Sequence, residues 1–222
     1  MRVGCQKVYT ITVSAGYFNH GLPPFLALGI IPLVKEKLIK RCEWAGHEGM
    51  QKYHDAEWGV PLHDDKKLFE FLILEGAQAG LSWSTILNRR SGYKKAYDNF
   101  NVNRVAKYSD KDINRLINDS GIIRNKAKIL ASINNALCFI EVQKEFGSFD
   151  KYIWNFVNYK PINNKIKNIK EIPAQSKLSE EISKDLKKRG FKFVGPTIVY
   201  AHMQATGMVN DHETTCFRYR QV

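Results

Sequence analysis

From residue 64 onward, apolar side chains recur every three to four positions, and Gly, Pro and Asn punctuate them; strict alternation of apolar and polar positions is scarce. That periodicity predicts helices over 65–77, 83–90, 92–98, 102–107, 110–119, 123–145, 149–157, 179–189 and 196–206. Several ends carry explicit signals. Ser109 with Asp112 has the form of a capping box, Gly121 and Gly190 stand just past helix ends, Pro196 suits a first turn, and Gly207 closes the last helix. The expected fold class is all-α.

Residues 1–40 read differently. The run "GLPPFLALGIIPLV" is broken by Pro23, Pro24 and Pro32 and leads into "KEKLIK", whereas a membrane span needs roughly twenty uninterrupted apolar residues. A secretory signal fits badly too, because lysines follow the run where a small-residue cleavage site belongs. The segment is expected to be a leader outside the fold, with residues 41–222 forming the domain.

Length and composition sharpen this picture. A chain of 222 residues with 44% apolar content fills a sizeable core. Lys and Arg number 34 against 22 acidic residues, a net of +12 spread along the sequence; the leader holds +4 of it, so residues 41–222 keep +8. With Trp, Tyr and His interleaved among the cations, a polyanion is the expected partner, nucleic acid before membrane. The stretch ending in Lys187, Lys188, Arg189 and Lys192 is the most basic, although a solvated helix face has the same composition.

The segment "DKDINRLINDSGIIRNKAKILASINNA" adds shape to charge. A short helix ends at Ser120-Gly121, a Gly-Ile-Ile turn follows, and a longer helix opens with Arg124, Lys126 and Lys128. This is the pattern of a helix-hairpin-helix over about 110–135, in which unpaired N–H groups at the second helix start, with adjacent cations, hold a phosphate without reading sequence. Any two-helix hairpin with a glycine turn imitates it.

Two further stretches carry candidate chemistry. In "LFEFLILEGAQAGLSWSTIL" a buried helix leads to Glu75, small residues and Trp83, so the carboxylate either lies at the floor of a tight pocket or points to solvent where the helix ends. Upstream, Cys42, Trp44, Tyr53, His54, Glu57 and Trp58 fall within seventeen residues, denser in aromatics than a periodic helix requires. The four cysteines, Cys5, Cys42, Cys138 and Cys216, form no C-x-x-C pair, which argues for a reducing setting. Cys42 and His54 near the domain's start, with His212 and Cys216 near its end, supply the two thiolates and two imidazoles of a closed tetrahedral zinc site. Their spacing matches no compact zinc finger, so spacing alone leaves open whether they meet.

Taken together, "RCEW", "YHDAEWGVP", "LFEFLILEGAQAGLSWSTIL", "SGIIRNKAKI", "LKKRGFKFVGPTIVYAHMQATGMVNDH" and Cys216 resemble the type I 3-methyladenine DNA glycosylases, in register from about Arg41 to Cys216. The resemblance implies a helix-hairpin-helix glycosylase fold whose zinc clip, made by Cys42, His54, His212 and Cys216, joins the domain's two terminal segments. It implies that Glu75 and Tyr53 hydrogen-bond the excised base, Glu75 as the catalytic group, that Trp83 stacks on the base and that Trp44 closes the pocket. Gln78, Gly80 and Leu81 fall where the family probes the duplex and fills the gap left by a flipped nucleotide; Gly121, Ile122, Ile123 and Lys126 fall on its phosphate-holding hairpin. The implied activity is hydrolytic excision of 3-methyladenine by a monomer acting on alkylated double-stranded DNA in the cytoplasm, with no membrane partner. Related folds place an aspartate after the hairpin; here no carboxylate follows Lys126 until Glu141, in keeping with the type I family. The leader has no counterpart in that family. A noncatalytic DNA-binding module is the rival reading.

Overall fold

A computed structural model describes residues 39–222, and the expectation for the leader falls on positions that lie, all but the last two, outside them. The described chain is mostly helical. In order it forms α1 (Glu48–Ala56), α2 (Asp65–Gln78), α3 (Trp83–Leu87), α4 (Arg90–Ala96), α5 (Val102–Val105), α6 (Asp110–Asn118), α7 (Lys126–Phe146), α8 (Phe149–Asn155), strand β1 (Ile162–Asn163), α9 (Lys177–Lys188), α10 (Pro196–Ala205) and strand β2 (Val209–Asn210). Among the described residues no helix is long and apolar enough to cross a membrane.

The centre of the fold is α2. Every residue from Leu68 to Ala77 is buried, as expected of a helix that is apolar nearly all round, and α3, α7, α8 and α10 pack around it. Asp64 starts it by accepting the Lys67 N–H at 2.8 Å. Other predicted end signals operate as read: Ser109 and Asp112 form a reciprocal capping box on α6, Pro196 opens α10, and Gly190 and Gly207 take positive φ after α9 and α10. Gly207 has a second constraint, because a Cβ there would lie 2.5 Å from Val60 C and Pro61 N.

Several helix bounds depart from the sequence expectation: the helix predicted over 83–90 stops at Leu87 and that over 149–157 at Asn155. The helix predicted from 123 begins at Lys126, because Asn125 is extended and its side chain caps the Lys128 N–H at 3.1 Å. The segments predicted over 92–98 and 102–107 stop short, at Ala96 and Val105. Between them, Asp98, Asn99 and Phe100 all take left-handed backbone angles. Helix α1 and the strands were not foreseen. α1 buries only Tyr53 and His54, too few positions to leave a periodic trace, and β1 and β2 are a two-residue parallel contact between distant segments.

Candidate active site

The two ends of the described chain meet. Cys42 precedes α1, His54 lies in its last turn, and His212 and Cys216 follow β2; one ligand atom from each falls within 4.8 Å of all the others, and all four residues are buried. Cys216 Sγ is 3.4 Å from His54 Nε2 and 3.7 Å from His212 Nδ1, while Cys42 Sγ is 3.5 Å from His212 Nδ1. Each imidazole is aimed by its other nitrogen. His54 Nδ1–H donates to Asp55 at 2.8 Å, and Asp55 is gripped by Arg41; His212 Nε2–H donates to the Trp58 carbonyl at 3.1 Å. Such outer partners fix the tautomer that turns a lone pair toward a metal. Hydrogen bonding from Cys42 holds the Cys216 thiol far below its ordinary range, while the same bond and burial push Cys42 up. A dication seated there would hold both sulfurs as thiolates, releasing their protons as it binds.

Beside this cluster opens a cleft of about 370 Å³ whose walls include Trp44, Tyr53, Trp83, Gln78 and, inside α2, Glu75. The structure thus brings the four predicted base-binding residues to one cavity, with Gln78 at its edge. Tyr53 and Trp83 have ring centroids 5.4 Å apart, and Trp44 meets the edge of Trp58 at 4.8 Å. Glu75 does not point to solvent: it is 1% exposed. Its Oε2 accepts from His202 Nδ1–H on α10 at 2.8 Å, while Oε1 has no hydrogen-bond partner. Burial raises the Glu75 pKa, and His202 opposes that rise. Burial also pushes Tyr53 well up, helped by the Glu75 and Glu57 carboxylates, so its hydroxyl remains a donor. An acceptor, a donor and aromatic faces in one cleft suit a planar base that is cationic or carries N–H groups.

The sequence did not single out Met50, Gln204, Ile169 or Ile172 as part of this cavity, nor His202 as the residue that holds Glu75 from behind it. His202 is 127 residues from Glu75, and no spacing encodes that contact. Ile169 and Ile172 stand in a stretch whose visible signal is its lysines.

The helical hairpin is formed by α6, the turn 119–125 and α7. Its donors are arranged differently from the simple expectation. The N–H groups of Gly121, Ile122 and Ile123 are already bonded, to Asp119 Oδ1 at 2.7 Å, Asp119 O at 3.4 Å and the Tyr93 hydroxyl at 3.2 Å. Ile122 is buried, so its side chain anchors the turn. Those left without an intramolecular partner among the described residues are the N–H groups of Ser120, Arg124, Lys126 and Ala127. Lys126 is exposed, whereas Lys128 turns inward and donates to the carbonyls of Ala77 and Ala79 at 2.8 and 2.6 Å. That ammonium caps the C-terminal end of α2. Just beyond, Gly80 at φ +78 bends the chain, the Leu81 N–H donates to Gln78 O at 2.6 Å, and the Leu81 side chain is 41% exposed.

The sequence profile of the methyladenine glycosylase family matches residues 44–219. DNA-3-methyladenine glycosylase 1 of Escherichia coli (strain K12) is 45% identical over 182 residues, covering 82% of this chain and 97% of the relative. A crystal structure of 3-methyladenine DNA glycosylase I superposes with a TM-score of 0.78 at 44% identity, covering 80% of this chain and 98% of that one. The Staphylococcus aureus enzyme, solved to explain its recognition of 3-methyladenine, gives a TM-score of 0.77 at 35% identity over 80% of this chain and 95% of its own. With a profile that spans most of the described residues and relatives matched over nearly their whole length, the chain belongs to the methyladenine glycosylase family.

Proposed function

We propose that this protein is a monofunctional glycosylase that turns a 3-methyladenine nucleotide out of double-stranded DNA and hydrolyses its glycosidic bond, opening base excision repair. The observation that carries the reading is Glu75 Oε1, a fully buried carboxylate oxygen without a partner in an aromatic cleft of about 370 Å³. Methylation at N3 leaves the adenine positively charged, so its bond to the sugar is weak before any enzyme acts. The leaving base takes the bonding electrons, water adds its oxygen to C1′, and the proton from water passes to solvent.

This chain's residues select and hold the base. His202 ties down Oε2, leaving Oε1 to accept from the base, while Tyr53 donates, Trp83 stacks and Trp44 closes the cleft. No carboxylate follows the hairpin before Glu141, which fits a substrate that needs little further activation. Gln78, Gly80 and Leu81 probe the duplex and fill the gap. The hairpin holds a phosphate with the free N–H groups of Arg124, Lys126 and Ala127 and the Lys126 cation, while Gly121, Ile122 and Ile123 shape the turn that presents them.

Zinc suits the cluster of Cys42, His54, His212 and Cys216. Tetrahedral coordination with Zn–S of about 2.3 Å and Zn–N of about 2.0 Å separates sulfur from nitrogen by about 3.5 Å; the spacings here are 3.4, 3.5 and 3.7 Å. With four protein ligands the ion supplies structure, and no part of the reaction passes through it. The working unit is residues 41–222, acting as a cytoplasmic monomer.

The test is incubation of the purified protein with methylated DNA and chromatography of the released bases. Free 3-methyladenine with little 7-methylguanine is expected. A folded sample that binds DNA and releases no base would leave a DNA-binding module as the better account.

A further inference from the structure

The segment between α8 and α9 has two faces with different chemistry. Ile169 and Ile172 line the same cleft as Glu75 and Tyr53. Around them Lys160, Lys165, Lys167, Lys170 and Lys177 are all exposed, against one carboxylate in the stretch, Glu171. That carboxylate is occupied by neutral donors of its own loop: Oε2 accepts the Lys167 N–H and Oε1 the Asn168 side-chain amide, both at 2.8 Å. The ion-paired lysines among the described residues are Lys52, Lys67 and Lys144, none of them here.

The loop is also pinned. β1 pairs with β2, the Asn164 amide donates to Asp211 at 2.6 Å, and the Thr214 N–H donates to the carbonyl of buried Ile166 at 2.7 Å. The backbone that carries these cations is therefore fixed where Ile169 and Ile172 wall the cleft. Lys170 in particular sits between the two isoleucines that wall it.

We propose that residues 160–177 form a cationic lip that binds the phosphodiester backbone of the DNA strand whose base enters the cleft. The inference rests on the reading of the cleft as a base site. A flipped nucleotide carries a phosphate on either side, so the strand delivering it must bring those charges to the rim. Lysines without carboxylate partners meet them there, positioning the strand without reading its sequence. The lip is separate in sequence from the hairpin, so the backbone is held by two elements.

The experiment compares the full chain with Lys165→Gln/Lys167→Gln/Lys170→Gln and, as a control of equal charge change, Lys184→Gln/Lys187→Gln/Lys188→Gln on α9. The probe is a duplex oligonucleotide containing a tetrahydrofuran abasic site, titrated over a salt series, with free 3-methyladenine as a second ligand. Each lost phosphate contact lowers the slope of log K against log salt by about 0.9. The lip variant should lose about 2–3 from the slope, the control should lose much less, and free-base affinity should be unchanged in both. An unchanged slope, an equal loss in the control, or a parallel loss of free-base affinity would overturn the proposal. If the unaltered protein neither binds nor releases 3-methyladenine, the reading of the cleft fails, and the slopes still report on the lip.

Discussion

Replacing Glu75 with Gln separates what the carboxylate does for the reaction from what it costs the fold. The variant keeps the shape and leaves an oxygen to accept from His202 Nδ1–H, which now stands 2.8 Å from Oε2. It turns an amide NH2 toward the cleft in place of the unpartnered Oε1, so an acceptor that attracts a cationic base becomes a donor. A hydrogen bond to a charged group contributes about 2 kcal/mol, or roughly 30-fold in rate where it acts on the departing base. Single-turnover excision from methylated duplex should therefore fall by about that factor or more, with duplex affinity and its salt slope retained. Stability should move the other way. Burial raises the Glu75 pKa in the folded state, so the proton is held more tightly there than in the unfolded chain. The stability this contributes is complete below the ordinary carboxylate range and is lost as pH rises through the raised value. Gln suffers no such loss. The variant's melting temperature should match the parent's in acid and exceed it near pH 8. Unchanged excision, or excision lost in step with duplex binding, would refute the role; a variant less stable at pH 8 would refute the account of burial.

Cys216→Ser should abolish stoichiometric zinc by elemental analysis and lower the melting temperature by more than about 10 °C, as loss of a structural metal requires; zinc retained at one per chain would exclude the cluster. Arg90→Met removes the partner of Glu57 at 2.8 Å and of buried Glu70 at 2.7 Å. Glu70 would keep only the half-exposed Lys67 at 3.1 Å, and the loss should cost about 2 kcal/mol, read by urea denaturation as a lower midpoint with unchanged m. Gly92→Ala would drive a Cβ into the Gly121 carbonyl and displace the hairpin turn. It should weaken duplex binding while free 3-methyladenine still binds, and an unaffected duplex affinity would remove the turn from the interface.

Much of the fold is legible because its helices announce themselves locally. α2 carries a continuous apolar core with Asp64 ahead of it, and α6 carries Ser109 and Asp112 at capping-box spacing. Helix α1 escapes detection because its two buried residues serve the cleft and the cluster of cysteines and histidines instead of an apolar face. In the site, residue type nominated Glu75, Trp83 and the Cys and His set, and the resemblance assigned their roles. Juxtaposition was not readable. Whether Cys42 meets His212 depends on a contact across 170 residues, and the His202 bond to Glu75 arises from the packing of α10 on α2. The inward turn of Lys128 illustrates the same limit: its sequence position suggests a phosphate ligand, but helix-end carbonyls claim it first.

The meeting of Cys42 and His54 with His212 and Cys216 has a topological consequence. A cation seated there converts a linear chain into a ring of about 170 residues, and the denatured ensemble of a ring has fewer conformations to gain. By the chain-entropy relation for a crosslink of that span the difference is about 5 kcal/mol, comparable with the whole stability of many domains. The ends of a domain ordinarily fray first and admit proteases there. Lys40, whose carbonyl accepts the Phe217 N–H at 2.9 Å, and Phe217 itself stand just outside that ring, so a seated ion would confine fraying to positions beyond Cys42 and Cys216, and its release would let unravelling pass inward from both.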